Sequence, residues 1–144
     1  LWAEIKAACG GNYTYEIAKT FMMGNGHVTI ITVKNNKVVE RKMIKFMPAT
    51  PDQPGAGGKQ VYHEKGRDVG KDKRGGKVLT MDQMHAQARA RLTEKMPKMH
   101  KLFYRFDENG LLTGCYSMNT LIADDAPTKG FLISNFNAEI KVKE

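Results

Sequence analysis

The amino-acid sequence predicts an α+β protein built on an antiparallel sheet. Segments with the two-residue periodicity of strands follow one another along the chain, and two segments have the three- and four-residue spacing of amphipathic helices. Strands that succeed one another without regularly alternating helices favour antiparallel pairing. The predicted order is helix, three strands, long loop, helix, three strands. We therefore expect about six strands in two groups of three, with the helices packed on the sheet.

The first helix is predicted over residues 1–9. Its apolar residues fall on one helical face: Leu1, Trp2, Ile5, Ala8 and Cys9. The glycines Gly10 and Gly11 follow directly, as is common beyond a helix C-terminus, and we expect them to end the helix.

Three strands are predicted next, from Tyr13 to Phe21, from Val28 to Lys34 and from Val38 to Phe46. The first alternates apolar and polar residues, and the other two are rich in β-branched residues. A turn is expected at residues 24–26. The pair Asn35-Asn36 suits a two-residue hairpin turn, because asparagine tolerates positive φ. These segments predict a meander.

Residues 47–79 are predicted to be a long loop or insertion within a single domain of residues 1–144. The segment contains three of the five prolines and seven of the fourteen glycines, with almost no apolar periodicity. A loop of this length in a compact domain is normally either functional or disordered.

Half of the net charge of +8 lies between residues 55 and 77, which we call the basic segment. Three acidic residues, Glu64, Asp68 and Asp72, oppose its seven basic ones. The basic residues are Lys59, Lys65, Arg67, Lys71, Lys73, Arg74 and Lys77. They are candidates for binding an anionic partner. Tyr62 alone could stack on a base, which disfavours sequence-specific recognition of single strands.

The second helix is predicted to begin after Thr80, where Thr80-Met81-Asp82-Gln83 matches a capping box. Its apolar stripe continues for about four turns, to the residue before Pro97, and we expect it to cover a sheet face. The stripe comprises Met81, Met84, Ala88, Leu92 and Met96.

The last three strands are predicted over residues 102–106, 111–118 and 130–136. The turn Asp107-Glu108-Asn109-Gly110 joins the first two as a hairpin. A second turn is expected at Asp124-Asp125-Ala126-Pro127.

Motifs of catalysis are missing from the sequence. Neither serine lies in a Gly-x-Ser-x-Gly elbow, and the four histidines lack metal-ligand spacing. The run from Gly70 to Lys77 fails the phosphate-loop pattern, because Gly76 stands where the lysine should be. The pair Asp124-Asp125 is an acid–base candidate or, in the simpler interpretation, a solvated turn. We therefore predict no enzyme, metal or cofactor.

Two cysteines, Cys9 and Cys115, exclude a disulfide-dense mini-protein and a four-cysteine zinc site. A disulfide between them and a pair of buried thiols both remain open. The disulfide would close a loop of more than a hundred residues, stabilising the fold by about 4–5 kcal/mol in the chain-entropy model.

The sequence also resembles a family of small secreted or lipoprotein-type bacterial domains of unknown function. The likeness begins with Trp2 and the strand Asn12-Tyr13-Thr14-Tyr15-Glu16, and continues through the valine-rich hairpin of residues 28–39. It resumes at Thr80-Met81-Asp82-Gln83 and ends in the last strand. The resemblance implies an exported α+β domain with no established activity.

Two functions follow as expectations. The first is a non-catalytic domain, secreted, periplasmic or lipid-anchored at the cell envelope, that binds an unidentified partner. The missing catalytic motifs, the resemblance and a start at Leu1, which fits removal of a leader, favour it. The alternative is a module that binds an anionic polymer, nucleic acid or acidic glycan, through the basic segment. No apolar run approaches the length of about 18 residues that a membrane-spanning helix needs.

Overall fold

The computed structural model describes residues 1–20, 24–47, 58–74, 77–121 and 129–140. Its helices are α1 (Trp2–Cys9) and α2 (Met81–Arg91), and a short 3-10 turn spans Gly66–Asp68. The strands are β1 (Tyr13–Thr20), β2 (Gly26–Lys34), β3 (Lys37–Phe46), β4 (Lys59–Lys65), β5 (His100–Phe106), β6 (Leu112–Asn119), β7 (Lys129–Leu132) and β8 (Ser134–Ala138).

These strands form two antiparallel sheets, which confirms the α+β class. The five-stranded sheet has the order β4-β3-β2-β1-β8, and the three-stranded sheet the order β5-β6-β7. The prediction of about six strands was wrong in detail, because it missed β4 and treated β7 and β8 as one strand. Contacts divide the chain into a larger unit, residues 3–78 and 134–144, and a smaller unit, residues 1–2 and 79–133.

The predicted meander is confirmed in the larger unit. Asn35 and Asn36 both have positive φ, 49° and 61°, as a type I′ hairpin turn requires. The alternation of β1 and β2 places Tyr13, Tyr15 and Ile31 in the core, where they are fully buried. We call this buried side the inner face of the five-stranded sheet.

The capping box of α2 is also confirmed. The Gln83 amide donates to Thr80 Oγ1 at 3.2 Å, and the Thr80 amide donates to Gln83 Oε1 at 2.8 Å. The helix ends at Arg91, about a turn before the predicted end, and Leu92 is 70% exposed instead of buried. Arg91 lies inward in its place, since its guanidinium donates to Ser117 Oγ and to the Lys129 carbonyl oxygen.

The last predicted strand, residues 130–136, is interrupted at Ile133. β7 pairs with β6 and β8 pairs with β1, so the chain leaves one sheet and enters the other at this residue. Asn135 has a φ of 49°, which an uninterrupted extended strand does not allow. Period-two patterning continues through such a change of partner, which is why the sequence predicted one strand.

The hairpin turn at residues 107–110 is confirmed. Asp107 Oδ1 accepts hydrogen bonds from the amides of Asn109 and Leu111, both at 2.9 Å, and Gly110 takes a φ of 85°. The carboxylate therefore closes the turn. The predicted turn at residues 124–127, with the pair Asp124-Asp125, lies outside the described residues.

Candidate anion-binding surface

The described part of the basic segment begins with a strand, β4, within residues 47–79, which the sequence predicted to be a long loop or insertion. β4 pairs antiparallel with β3 at the edge of the five-stranded sheet, and the 3-10 turn follows it directly. Residues 48–57, 75 and 76 lie outside the described residues. The strand escaped detection because its inward positions hold Tyr62 and Glu64 instead of aliphatic residues.

A buried ion pair joins β4 to β3. Arg41 and Glu64 are directly opposite in the strand register, and Arg41 Nε lies 2.5 Å from Glu64 Oε1. The two side chains are only 3% and 8% exposed. A buried charge is tolerated when it is paired and hydrogen-bonded, and both conditions hold here.

The Glu64 carboxylate also binds the chain that follows β4. It accepts hydrogen bonds from the backbone amides of Asp72 at 2.7 Å and Gly70 at 3.3 Å. Arg41 Nη2 donates to the Asp72 carbonyl oxygen at 2.6 Å. The pair thus fastens residues 66–74, which we call the anchored loop, to the sheet.

Electrostatics favour the ionised form of Glu64. Burial alone would raise the pKa of Glu64, but hydrogen bonds from Arg41, Asp72 and Gly70 outweigh it and hold the pKa below its usual value. The anchoring carboxylate is therefore charged throughout the neutral pH range.

Arg74 and Asp72 form a second, exposed pair on the anchored loop. Arg74 Nη2 donates to Asp72 Oδ2 at 2.6 Å and Arg74 Nε to Oδ1 at 3.0 Å. Hydrogen bonds from the Arg74 side chain and backbone amide lower the pKa of Asp72 to about 2. The Arg74 and Arg41 guanidinium carbons also lie over the Tyr62 ring, at 5.6 and 5.3 Å from its centroid. This ring is half-buried and already contacts two cations, so it offers little surface to a base.

The structure exposes every basic residue predicted as an anion-binding candidate. Lys71 pairs with Asp68 at 2.8 Å and Arg74 pairs with Asp72. None of the other five forms an ion pair within the described part of the chain, although Glu40 lies opposite Lys65 in the strand register. These five are Lys59, Lys65, Arg67, Lys73 and Lys77.

Sequence reasoning missed Arg41, the residue that fixes the anchored loop. Its parity in β3 matches buried Met43, and a charged residue at an inward position was the available signal. That signal indicates that an acidic partner exists, but it does not identify Glu64, which is 23 residues away along the chain.

The two cysteines are buried free thiols in the structure, Cys9 in the larger unit and Cys115 in the smaller. Burial raises the pKa of Cys115, against the lowering effects of Tyr104 and Arg91, so its thiol is protonated at neutral pH and a weak nucleophile. The Cys9–Cys115 disulfide stays a prediction.

Pockets, metal-ligand clusters and membrane-spanning helices are further features that bear on function. A shallow depression of about 500 Å³ lies between α1 and the β2–β3 turn, lined by Lys6 with alanine, glycine and asparagine residues. No group of three or more His, Cys, Asp or Glu residues within the described ranges could hold a metal ion. No described helix has the length and apolar character needed to span a membrane.

Comparisons with protein-family models, with curated proteins and with solved structures found no match for this chain. The resemblance to secreted bacterial domains therefore stays a prediction, and function is argued from the residues themselves.

Proposed function

We propose that this chain is a non-catalytic binding module whose basic segment binds a linear polyanion. The observation that supports this most directly is the Arg41–Glu64 pair, which fastens the anchored loop to the sheet. Five basic side chains of the segment are exposed and form no ion pair among the described residues. Exposed cations on an ordered scaffold bind repeated anions without the entropic cost of ordering a loop on binding.

The chemistry favours contacts to charged groups along the polymer over recognition of its bases or sugars. Lysine and arginine bind phosphate or sulfate and release the polymer's condensed counterions. Tyr62, the one aromatic residue of the basic segment, is half-buried and stacks with Arg41 and Arg74. Binding should therefore depend steeply on salt and weakly on polymer sequence. Export of the chain, which the family resemblance implies, is a separate proposal.

The test measures the affinity of the protein for a fluorescent 20-base-pair DNA duplex and for a heparin oligosaccharide at several NaCl concentrations. The loop variant replaces Lys65, Arg67, Lys73 and Lys77 by glutamine. A control variant replaces Arg89, Lys95, Lys98 and Lys101, which are exposed residues of the smaller unit. Each variant lowers the net charge from +8 to +4, so the pair separates position from total charge.

We expect the loop variant to lose at least tenfold in affinity at low salt and the control variant to lose much less. The slope of log K against log salt should fall by about one for each phosphate contact removed. Equal losses in both variants would show that net charge alone attracts the polymer. Salt-insensitive binding, or none by the wild type, would overturn the proposal. The duplex and heparin arms distinguish phosphate from sulfate and carboxylate as the anion.

A further inference from the structure

A row of four basic residues crosses one end of the five-stranded sheet. The register places Lys19 of β1 opposite His27 of β2, His27 opposite Lys45 of β3, and Lys45 opposite Lys59 of β4. All four belong to the larger unit. The three lysines are exposed and His27 is half-buried. We call this set the basic row.

Like charges directly opposite one another destabilise a sheet, and Lys45 and Lys59 of the basic row form such a pair. Burial lowers the pKa of His27, and Lys19 and Lys45 lower it further, which favours the neutral imidazole in the free protein. Elsewhere in the same sheet, the register contains the complementary pairs Arg41–Glu64 and Glu40–Lys65, and the like-charged pair Lys34–Lys37, in which Lys34 forms an ion pair with Glu139. An anionic ligand bound between Lys45 and Lys59 would offset the repulsion within that pair.

The basic row is continuous with the anchored loop. Lys45 lies two residues from Met43 along β3, so both lie on the inner face of the sheet. Met43 is opposite Tyr62 of β4. Lys45 of the basic row is therefore two residues, about 7 Å along β3, from Met43, and the Arg74 guanidinium lies over Tyr62, the residue opposite Met43.

We propose that the basic row binds the phosphate backbone of double-stranded nucleic acid, as an extension of the surface that the basic segment provides. This inference rests on the proposed function and names its polymer. Opposite residues of antiparallel strands are about 4.5–5.5 Å apart, so four of them span about 15 Å. Successive phosphates of one strand are about 7 Å apart, since each also winds around the axis, so a row of about 15 Å is long enough to contact about two of them.

Two observations favour a duplex over a single strand. Backbone pairing holds the four residues of the basic row on a rigid line, which matches a ligand that is itself stiff. Proteins that bind single strands offset the cost of ordering them by stacking bases on aromatic side chains. The basic row contains no aromatic residue besides the His27 imidazole.

The experiment compares a row variant, Lys45→Gln with Lys59→Gln, with a control, Lys98→Gln with Lys101→Gln. Both remove two charges, and the probe is a 16-base-pair DNA duplex across a range of NaCl. We expect the row variant to lower the slope of log K against log salt by about two and the control to leave it nearly unchanged. The row variant should also be at least as stable to heat as the wild type, because repulsion is relieved. A stable row variant with wild-type slope and affinity would overturn the inference.

The ring signals of His27, followed by NMR against pH, give a second readout that is most sensitive to phosphates bound close to the imidazole. Lys19 of β1 and Lys45 of β3 flank His27 in the strand register, and both favour the neutral imidazole. Bound phosphates favour the imidazolium, so the duplex should raise the pKa of His27 in the wild type and binding should strengthen as pH falls. An unchanged His27 titration at saturating duplex would contradict the proposal that the basic row binds the duplex.

The outcomes separate this inference from the proposed function. If the loop variant weakens binding while the row variant and His27 do not respond, the basic row does not bind the duplex. This inference then fails and the proposed function stands. If the wild type binds no polyanion, the proposed function fails as well. A His27 response to heparin or to a single strand that exceeds the response to duplex would assign the row to that polymer.

Discussion

At the residue scale, the Arg41–Glu64 pair explains why the candidate surface was only partly predictable. The sequence identified the basic residues of the segment, because their charge excess can be counted directly. It did not identify the order of that segment, because the order depends on an ion pair between strands. Hydrophobic periodicity does not predict that a glutamate occupies a buried strand position. Glu64 occupies one and is only 7% exposed.

Glu64→Gln should lower the free energy of unfolding by about 3 kcal/mol, because it replaces the carboxylate that balances the buried Arg41 charge with a neutral amide. The pH dependence should change too. The pKa of Glu64 is lowered in the folded state, so its stabilising effect is complete above the unfolded pKa and is lost as pH falls through the folded value. Urea unfolding of wild type and variant at pH 7 and at pH 3 measures both, and the difference between them should shrink at pH 3.

The double variant Arg41→Met with Glu64→Leu is the matched comparison. Removal of both charges should restore part of the lost stability, since buried ion pairs can be replaced by apolar residues at little cost. The amides of Gly70 and Asp72 would still lose their acceptor, so their hydrogen exchange should become fast. Retained protection of both amides in this variant would show that other contacts order the anchored loop.

At the element scale, local interactions were predicted and distant ones were not. The start of α2 follows from four consecutive residues, because a capping box is complete within one turn. The end of α2 depends on Arg91, whose partners Ser117 and Lys129 lie 26 and 38 residues away. The same reasoning covers the division of the last predicted strand into β7 and β8, since period-two patterning does not specify which sheet a strand joins.

Thr80→Ala should lower the free energy of unfolding by about 1 kcal/mol, because the Gln83 amide loses its hydrogen-bond acceptor at the start of α2. Thr93→Ala is the control. Thr93 is an exposed threonine just beyond the same helix, and its change should stay within about 0.5 kcal/mol. Chemical denaturation of the three proteins measures the difference. Equal stability of both variants would mean that the capping box contributes little to the fold.

At the scale of the whole molecule, the basic row shows how register creates a surface that composition conceals. Lys19, His27 and Lys45 belong to three strands that the sequence predicted in part, and Lys59 belongs to β4, which it missed. Their alignment depends on the pairing of all four strands. Lys19 and Lys45 of this row add two positive charges to the excess of the basic segment, and Lys59 belongs to both.

This distribution predicts opposite effects of salt on folding and on binding. Excess positive charge repels itself in the folded state, and NaCl screens that repulsion as the Debye length falls from about 30 Å at 0.01 M to about 10 Å at 0.1 M. We therefore expect the thermal midpoint of the free protein to rise over this range while its affinity for a DNA duplex falls. Exposed pairs such as Lys71–Asp68 weaken in salt, but each contributes little.

Calorimetry of the free protein and of the loop variant, both in NaCl from 0.01 to 0.1 M, measures the effect on folding. The loop variant has a net charge of +4, so its midpoint should rise by less than that of the wild type. The duplex at low salt should raise the wild-type midpoint, because a ligand of the folded state stabilises it by mass action, and the gain should vanish as salt increases. A wild-type midpoint that falls with salt would show that attractive pairs, and not the concentrated positive charge, dominate the electrostatics of the fold.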